Sequence, residues 1–187
     1  MAKKNYPLVN LLISLKESEN RGKLATLRRG ASDPYNNFEA LSIIGNLIPD
    51  GKDESFKNAM LLSTLFSIHP LHTENRNIGE GLKYVRNRLT VGGESLDARF
   101  LLLLNSDHQD LPHNLLQICR FLANKEIAID YHQLFEDLRF WTHQEKRVQL
   151  RWARGYWAFQ KDEQENEDIN QDKNNNSDFL KNNEETL

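Results

Sequence analysis

Residues 130–157 read DYHQLFEDLRFWTHQEKRVQLRWARGYW, and this stretch decides the fold because it contains two candidate helix starts. Asp130 precedes Gln133, and Thr142 precedes Glu145, at the spacing of a capping box. In a capping box, the N-terminal side chain and the third helical residue each accept a hydrogen bond from the other's backbone. The repeated spacing predicts two consecutive helices instead of one long helix.

The second of these predicted helices has one apolar side. Val148, Trp152 and Phe159 fall within about 40° of one another around a helix that turns about 100° per residue. We expect these three side chains to face the interior together with Trp141. Trp157 falls off this side.

The same helix has a basic flank. Lys146, Arg147, Arg151 and Arg154 lie close together, and Glu145 is the only acidic residue near them. Like charges on one helix stripe repel each other in the free protein. Two interpretations stay open: a solvated flank whose arginine stems pack over Trp rings, or a surface that holds something negatively charged.

Apolar residues recur at the spacing of one helix face along most of the preceding chain. The predicted helices cover residues 8–15, 21–29, 34–44, 55–68, 82–89, 95–104 and 111–122. We expect Asp33 and Ser55 to cap two of them. The segment 95–104 is expected to be central, because it is apolar on most sides. Alternating strand patterns are scarce, which predicts an all-α, single-domain bundle of about eight or nine helices.

The end of the chain differs in composition. Residues 161–187 contain nine acidic and three basic residues, a net charge of −6, whereas residues 1–160 contain 21 basic and 18 acidic residues, a net charge of +3. The Asn-rich end has few large apolar groups with which to offset its ordering entropy. We predict a helical domain over residues 1–160 and a disordered acidic tail over residues 161–187.

The composition restricts the class of protein. Cys119 is the only cysteine, so no disulfide can form within the chain, and its apolar surroundings predict a buried thiol. No secretory leader is visible, and the longest apolar run, residues 100–104, is too short to cross a bilayer. These observations favour a cytoplasmic protein.

No constellation of catalytic or metal-binding residues stands out. His69, His72 and Glu74 superficially resemble a metal motif, but Pro70 breaks the helix that would align them. We therefore expect His69 and His72 to be loop histidines, and we expect residues 70–81 to form a mobile loop. The prediction is a protein without catalysis, cofactor or metal. A small helical hydrolase that uses these histidines is a further hypothesis.

Basic residues also occur near the start of the chain. Lys23, Arg28 and Arg29 lie in residues 21–31, which contain no acid. Arginine's planar fork suits phosphate oxygens, and it suits carboxylates equally well.

Two arginines stand apart in the middle of the chain. Arg120 points away from the apolar stripe of its predicted helix, and Arg99 lies at the edge of the apolar run. Both are candidates to hold a nucleic-acid backbone without reading its sequence. In the alternative, they form internal ion pairs with nearby carboxylates, for which the candidates are Asp97, Asp107 and Asp137.

Several motifs in this order resemble the CasB family, the small subunit of the type I-E CRISPR surveillance complex, Cascade. They are LATLRRG, SLDARFLLLLNSD and LLQICRFLA, followed by the helix pair that begins DYHQLFEDLRFWTHQEK. The resemblance covers residues 8–159 and leaves out the acidic tail. It implies an all-helical, non-catalytic subunit that functions in antiviral defence.

The resemblance also implies partners and contact residues. The family's subunit self-associates in two copies, touches the backbone and large subunits, and lies beside the guide RNA–target DNA duplex and the displaced strand of the R-loop. Carried over, its basic contacts fall on Arg28, Arg29, Arg99, Arg120 and Arg147. Together with the neighbouring bases, the predicted DNA- and RNA-binding residues are Lys23, Arg28, Arg29, Arg99, Arg120, Lys146, Arg147 and Arg151. In the alternative, the subunit is a protein scaffold whose arginines pair with acidic neighbours.

Overall fold

The computed structural model describes residues 5–48 and 53–158, and it confirms the all-α fold class. Within these ranges the only bridge between extended segments joins His72 and Ile129. The nine α-helices of the described residues are α1 (Pro7–Glu17), α2 (Arg21–Arg28), α3 (Leu41–Ile44), α4 (Asp53–Ile68), α5 (Ile78–Arg86), α6 (Gly93–Leu104), α7 (Leu111–Asn124), α8 (Tyr131–Arg139) and α9 (Arg147–Trp157). None of these described helices is long and apolar enough to cross a membrane.

Helix α4 lies at the centre of the bundle. It packs against α1, α2, α7 and α8, and all of its residues from Asn58 to Ser67 are buried. Its small hydroxyl side chains tolerate this burial because they bond to backbone carbonyls: Ser63 donates to Ala59 at 2.8 Å, and Ser67 donates to Thr64 at 2.7 Å. Of the remaining helices, α5 packs against α9, and α6 packs against α7.

The expected helix over residues 34–44 is wrong. Three-residue 3-10 turns occupy Pro34–Asn36 and Phe38–Ala40, and the α-helix α3 covers only four residues. Asn37 interrupts the helix because its backbone adopts φ −82° and ψ 70°, while its side chain donates to the Thr26 carbonyl at 2.9 Å. Asp33 does cap this segment, since its carboxylate accepts from the Tyr35 backbone.

Several predicted caps lie at different positions in the structure. Ser55 lies inside α4, and α6 begins at Gly93 after Gly92, whose φ of +90° is accessible to glycine at little cost. Asp130 caps α8 as expected, by accepting from the Gln133 backbone. Thr142 caps no helix, because the chain turns until α9 begins at Arg147. The prediction of two consecutive helices is nevertheless confirmed.

The histidine segment is tied to the body of the protein. His69 is fully buried; its Nε2 donates to the Ile127 carbonyl at 2.7 Å, and its Nδ1 lies 2.9 Å from the Tyr131 hydroxyl. Burial lowers the pKa of the His69 ring. The Thr73 backbone also bonds to Ile129 at 3.0 Å. His69 and His72 lie in the loop between α4 and α5, as expected, but this loop packs against the chain before α8, and α5 begins at Ile78, inside the stretch expected to be a loop.

Helices α5 and α9 cross at very short range. A side chain at Gly79 would overlap the backbone of Trp152, and Gly155 faces Glu80 and Asn77. Glycine at the crossing lets the two helix backbones approach each other directly. The approach fixes the position of α9 and of its basic flank.

Helix α6 is less central than its sequence suggests. Phe100 and Leu103 are buried, but Leu101 is 47% exposed and Leu102 is 60% exposed. The prediction of a central helix is wrong, because an unbroken apolar run covers every side of a helix and does not show which sides have neighbours. The outer side of α6 carries Arg99 beside Leu102.

The core predictions for single residues are confirmed where the structure describes them. Cys119, Trp141, Val148 and Trp152 are buried, and Trp157 is 40% exposed. The predicted inward position of Phe159, the domain boundary at residue 160 and the disordered tail over residues 161–187 lie outside the described residues.

Candidate nucleic-acid interface

All eight predicted contact residues have exposed side chains. They fall into three groups: one at α2 and the turn after it, one on the packed helices α6 and α7, and one at the start of α9. No described residue bonds to members of two groups. The eight residues differ in the partner, if any, to which each charged side chain bonds.

Arg28 is held by a backbone carbonyl. Its Nε and Nη2 donate to the Ser67 carbonyl at 3.0 and 2.7 Å. Ser67 lies in the last turn of α4, where the carbonyls lack partners within the helix and the helix dipole is negative. Arg28 therefore stabilises the end of α4, and much of its donor capacity is used within the protein.

Arg151 is held by a buried carboxylate. The Asp137 side chain is 1% exposed and forms an ion pair with Arg151. It also accepts from Gln133 Nε2 at 2.7 Å and from Trp152 Nε1 at 2.6 Å. Burial raises the pKa of the Asp137 carboxyl and Arg151 opposes this; the carboxyl is ionised, because all three partners are donors. Arg151 thus connects α9 to α8, and its charge is neutralised internally.

Arg29 and Arg147 are held by exposed acids. Arg29 forms an ion pair with Glu39, and Arg147 forms one with Glu145, with every side chain more than half exposed. Exposed pairs of this kind contribute only about 0–1 kcal/mol. Either arginine can therefore exchange its carboxylate for a phosphate at little cost.

Arg99 and Arg120 are not held at all by the described residues. Both are exposed, and neither side chain forms an ion pair or a hydrogen bond with any residue in 5–48 or 53–158. Arg99 lies on α6 and Arg120 lies on α7, and these two helices pack against each other. Each guanidinium keeps all of its donors available.

The carboxylates proposed as internal partners for these two arginines are engaged elsewhere. Asp97 accepts from Arg86 at 2.7 and 2.9 Å, and this contact is the main reason why the pKa of Asp97 is lowered. Asp107 accepts from the backbones of Gln109 and Asp110, which lowers its pKa, and Asp137 pairs with Arg151. The internal ion-pair alternative therefore fails for Arg99 and Arg120 with these three acids.

Two lysines complete the predicted set. The side chains of Lys23 and Lys146 are exposed and have no bonded partner in the described part of the chain. Lys146 has a φ of +49°, a left-handed conformation that disfavours residues with a Cβ atom, and it directly precedes α9. Lys23 therefore adds an available positive charge on α2, and Lys146 adds one directly before α9.

Sequence reasoning missed one basic group. The Cζ atom of Arg88 lies 3.5 Å from the centroid of the Tyr84 ring, and the Cζ atom of Arg76 lies 5.6 Å from the same centroid. Tyr84 is 40% exposed. The four-residue spacing of Tyr84 and Arg88 in the predicted helix 82–89 could have indicated this contact, although α5 ends at Arg86 and Arg88 lies in the turn after it.

The described residues contain no group of three or more His, Cys, Asp or Glu side chains that could hold a metal ion. His69 and His72 flank Tyr131 instead, with ring centroids 5.9 and 6.5 Å from its ring. Among the described residues, the exposed bases without a bonded partner, such as Arg99 and Arg120, keep donors that an anionic oxygen can accept from.

Comparison with known proteins identifies the family. The family model of the CRISPR-associated protein Cse2 matches residues 23–157. A CRISPR-associated protein Cse2 of Thermus thermophilus is 30% identical over 116 residues, which are 62% of this chain and 65% of that protein. The match thus spans slightly less than two thirds of that relative's length.

Solved structures share the fold. The crystal structure of CasB from Thermus thermophilus has a TM-score of 0.69 and 24% identity, and the match covers 83% of this chain and all of the other. A chain of a CRISPR RNA-guided surveillance complex has a TM-score of 0.63 and 21% identity, with 80% and 88% covered.

Proposed function

The chain belongs to the CRISPR-associated Cse2 family, and from this we propose that it is the non-catalytic small subunit of a type I-E CRISPR RNA-guided surveillance complex, Cascade. In this role it binds nucleic-acid backbone in the cytoplasm during antiviral defence. Its partners are the backbone and large subunits, a second copy of the chain, the guide RNA–target DNA duplex and the displaced DNA strand.

The observation that carries the proposal is the state of Arg99 and Arg120. Both guanidiniums are exposed on adjacent helices, and neither is bonded to a described residue. The acids that could have neutralised them are occupied by other groups. Unpaired guanidiniums on a protein surface attract phosphate, and contacts to phosphate position a nucleic acid without reading its sequence.

Backbone contacts of this kind suit a complex that opens duplex DNA. Pairing of a guide RNA with its target replaces one duplex by another of similar stability, so modest protein contacts can tip the balance. Arg99 and Arg120 provide the main contacts of each copy, while Arg29 and Arg147 add weaker ones when they release their carboxylates. Two copies of the subunit double the number of contacts along the R-loop.

A second candidate function is favoured by the outer side of α6. Leu101 and Leu102 are exposed, and Leu102 lies one helical turn from Arg99. Exposed apolar groups with a neighbouring charge are common at protein–protein contacts. In this scaffold alternative, Arg99 pairs with an acidic residue of a neighbouring subunit. The two functions differ in whether a change at the arginines affects nucleic-acid binding or assembly.

We predict that Arg99→Glu combined with Arg120→Glu weakens binding of target DNA by the assembled complex at least about tenfold, because two phosphate contacts become repulsive. Affinity for target DNA is measured by titration with labelled duplex, and co-purification of all subunits serves as the assembly control. A complex that assembles normally and binds DNA as tightly as the wild type contradicts the proposal. Failure of the variant to join the complex supports the scaffold alternative.

A further inference from the structure

Tyr84 and two arginines form a cluster outside the eight predicted contact residues. Arg88 lies 3.5 Å from the Tyr84 ring centroid and Arg76 lies 5.6 Å from it. Tyr84 and Arg88 are exposed, and Arg76 is half-buried. We call Tyr84, Arg76 and Arg88 the Tyr84 cluster.

The aromatic ring holds Arg88 without using its hydrogen-bond donors. A guanidinium stacked on a ring is oriented by the ring's quadrupole, whereas its N–H groups lie in the guanidinium plane and remain available. No ion pair or hydrogen bond from the Arg88 side chain to a described residue is present. Arg88 is thus oriented in advance and can still bind an anion.

The other ordered arginines contrast with Arg88. Arg86, two residues earlier, donates hydrogen bonds to the Asp97 carboxylate, and Arg28 donates two hydrogen bonds to the Ser67 carbonyl. In both cases, the acceptor that orients the guanidinium also uses its N–H donors. An aromatic ring orients a guanidinium and leaves those donors available.

Arg76 adds a second positive charge at the same ring. Its Nη1 donates to the Ala128 carbonyl at 3.3 Å, which is a neutral group, and Arg76 forms no ion pair with a residue in 5–48 or 53–158. Glu80, one turn before Tyr84, is turned to the start of α5, where it accepts from the Asn77 backbone at 2.8 Å. Two cations at one ring repel each other, and a bound anion relieves this repulsion.

We propose that the Tyr84 cluster is a second contact for the phosphate backbone of nucleic acid, in which Arg88 binds a phosphate oxygen pair and Arg76 supplies long-range attraction. This inference rests on the proposed function, because it assigns a further surface to the same class of ligand. A single DNA strand and a duplex both offer the phosphodiester that the cluster recognises.

The test uses the purified full-length protein and four variants. Arg88→Gln removes the binding charge, Tyr84→Leu removes the ring that orients it, and Tyr84→Phe keeps the ring. Lys16→Gln is the matched control for loss of one exposed positive charge on a different helix. Fluorescence anisotropy is recorded over a salt series with labelled single-stranded and duplex DNA in separate arms.

We expect Arg88→Gln to raise Kd roughly fivefold to tenfold at moderate salt and to lower the salt slope by about 0.7–0.9, the value for one phosphate contact. Tyr84→Leu is also expected to raise Kd. Tyr84→Phe and Lys16→Gln are expected to bind DNA as tightly as the wild type does. A loss confined to one arm identifies that form of DNA as the source of the phosphate.

The inference is overturned if Arg88→Gln binds both DNA forms as tightly as the wild type, or if Lys16→Gln weakens binding equally. Arg99→Glu combined with Arg120→Glu is measured alongside to separate the two proposals. Normal binding by Arg88→Gln with weakened binding by this double variant refutes the Tyr84 cluster alone. Normal binding by the double variant refutes the role of Arg99 and Arg120 instead.

Discussion

Replacing Gly79 with alanine is expected to lower the free energy of unfolding by about 3 kcal/mol or more. A Cβ atom at this position overlaps the carbonyl oxygen of Trp152 and lies 2.8 Å from its carbonyl carbon. The obstacle is backbone within α9, so no side-chain rotation relieves it. The helices α5 and α9 must separate, which disrupts the packing around the fully buried Trp152.

Gly22→Ala is the matched control for this prediction. Gly22 is the second residue of α2, as Gly79 is the second residue of α5, but nothing lies within 4 Å of a Cβ atom added at Gly22. Alanine in an open helical position stabilises a protein by up to about 1 kcal/mol. Both variants are measured by urea unfolding followed by circular dichroism. Equal stability of the two variants would show that the helices do not cross at Gly79.

Replacing Asp137 with alanine is expected to lower the free energy of unfolding by about 3–5 kcal/mol, as removal of one partner from a buried ion pair does elsewhere. The change leaves the buried Nε1 of Trp152 without its acceptor and leaves Arg151 without its carboxylate. Gln133 loses a bond as well. The tie between α8 and α9 is lost along with these bonds.

The control for this prediction is Asp110→Ala, because Asp110 is exposed and its side chain caps no helix. Its effect on stability is expected to stay within about 0.5 kcal/mol of the wild type. A double variant, Asp137→Ala with Arg151→Ala, is expected to lose less than the sum of the single losses. A loss below about 1 kcal/mol for Asp137→Ala would contradict the burial of a charged, fully bonded carboxylate.

The fold class could be predicted from the sequence because it depends on local periodicity. Val148 and Trp152 recur at one helix face, and the structure buries both. The spacing at Asp130 located the start of α8 correctly. Exposure of Leu101 and Leu102 could not be predicted, since it depends on which helices lie beside α6 and not on the sequence of α6.

Which acceptor each arginine binds could not be predicted from the sequence either. Arg147 and Arg151 lie four residues apart on the same basic flank of α9. Arg151 nevertheless pairs with a buried carboxylate, whereas Arg147 pairs with an exposed one. Asp137 precedes Arg151 by fourteen residues, and only the packing of α8 on α9 brings them together. Likewise, Asp97 pairs with Arg86 and not with Arg99, although it is nearer to Arg99 in sequence, and Arg99 has no ion pair with any described residue.

The central claim is that guanidiniums without partners among the described residues bind nucleic-acid phosphate, whereas those paired with largely buried carboxylates, such as Arg86 and Arg139, do not. The salt dependence of DNA binding tests this most directly, because its slope counts the phosphate contacts that a protein makes. The comparison needs two double variants with the same loss of charge. Arg99→Gln with Arg120→Gln removes unpaired charges, while Arg86→Gln with Arg139→Gln removes charges paired with Asp97 and Glu136.

We predict that the first double variant lowers the salt slope of duplex binding by about 1.8, the value for two lost contacts, and that the second leaves it unchanged. Circular dichroism confirms that both variants remain folded. Equal slopes for the two variants, or a larger reduction for the paired set, would contradict the claim.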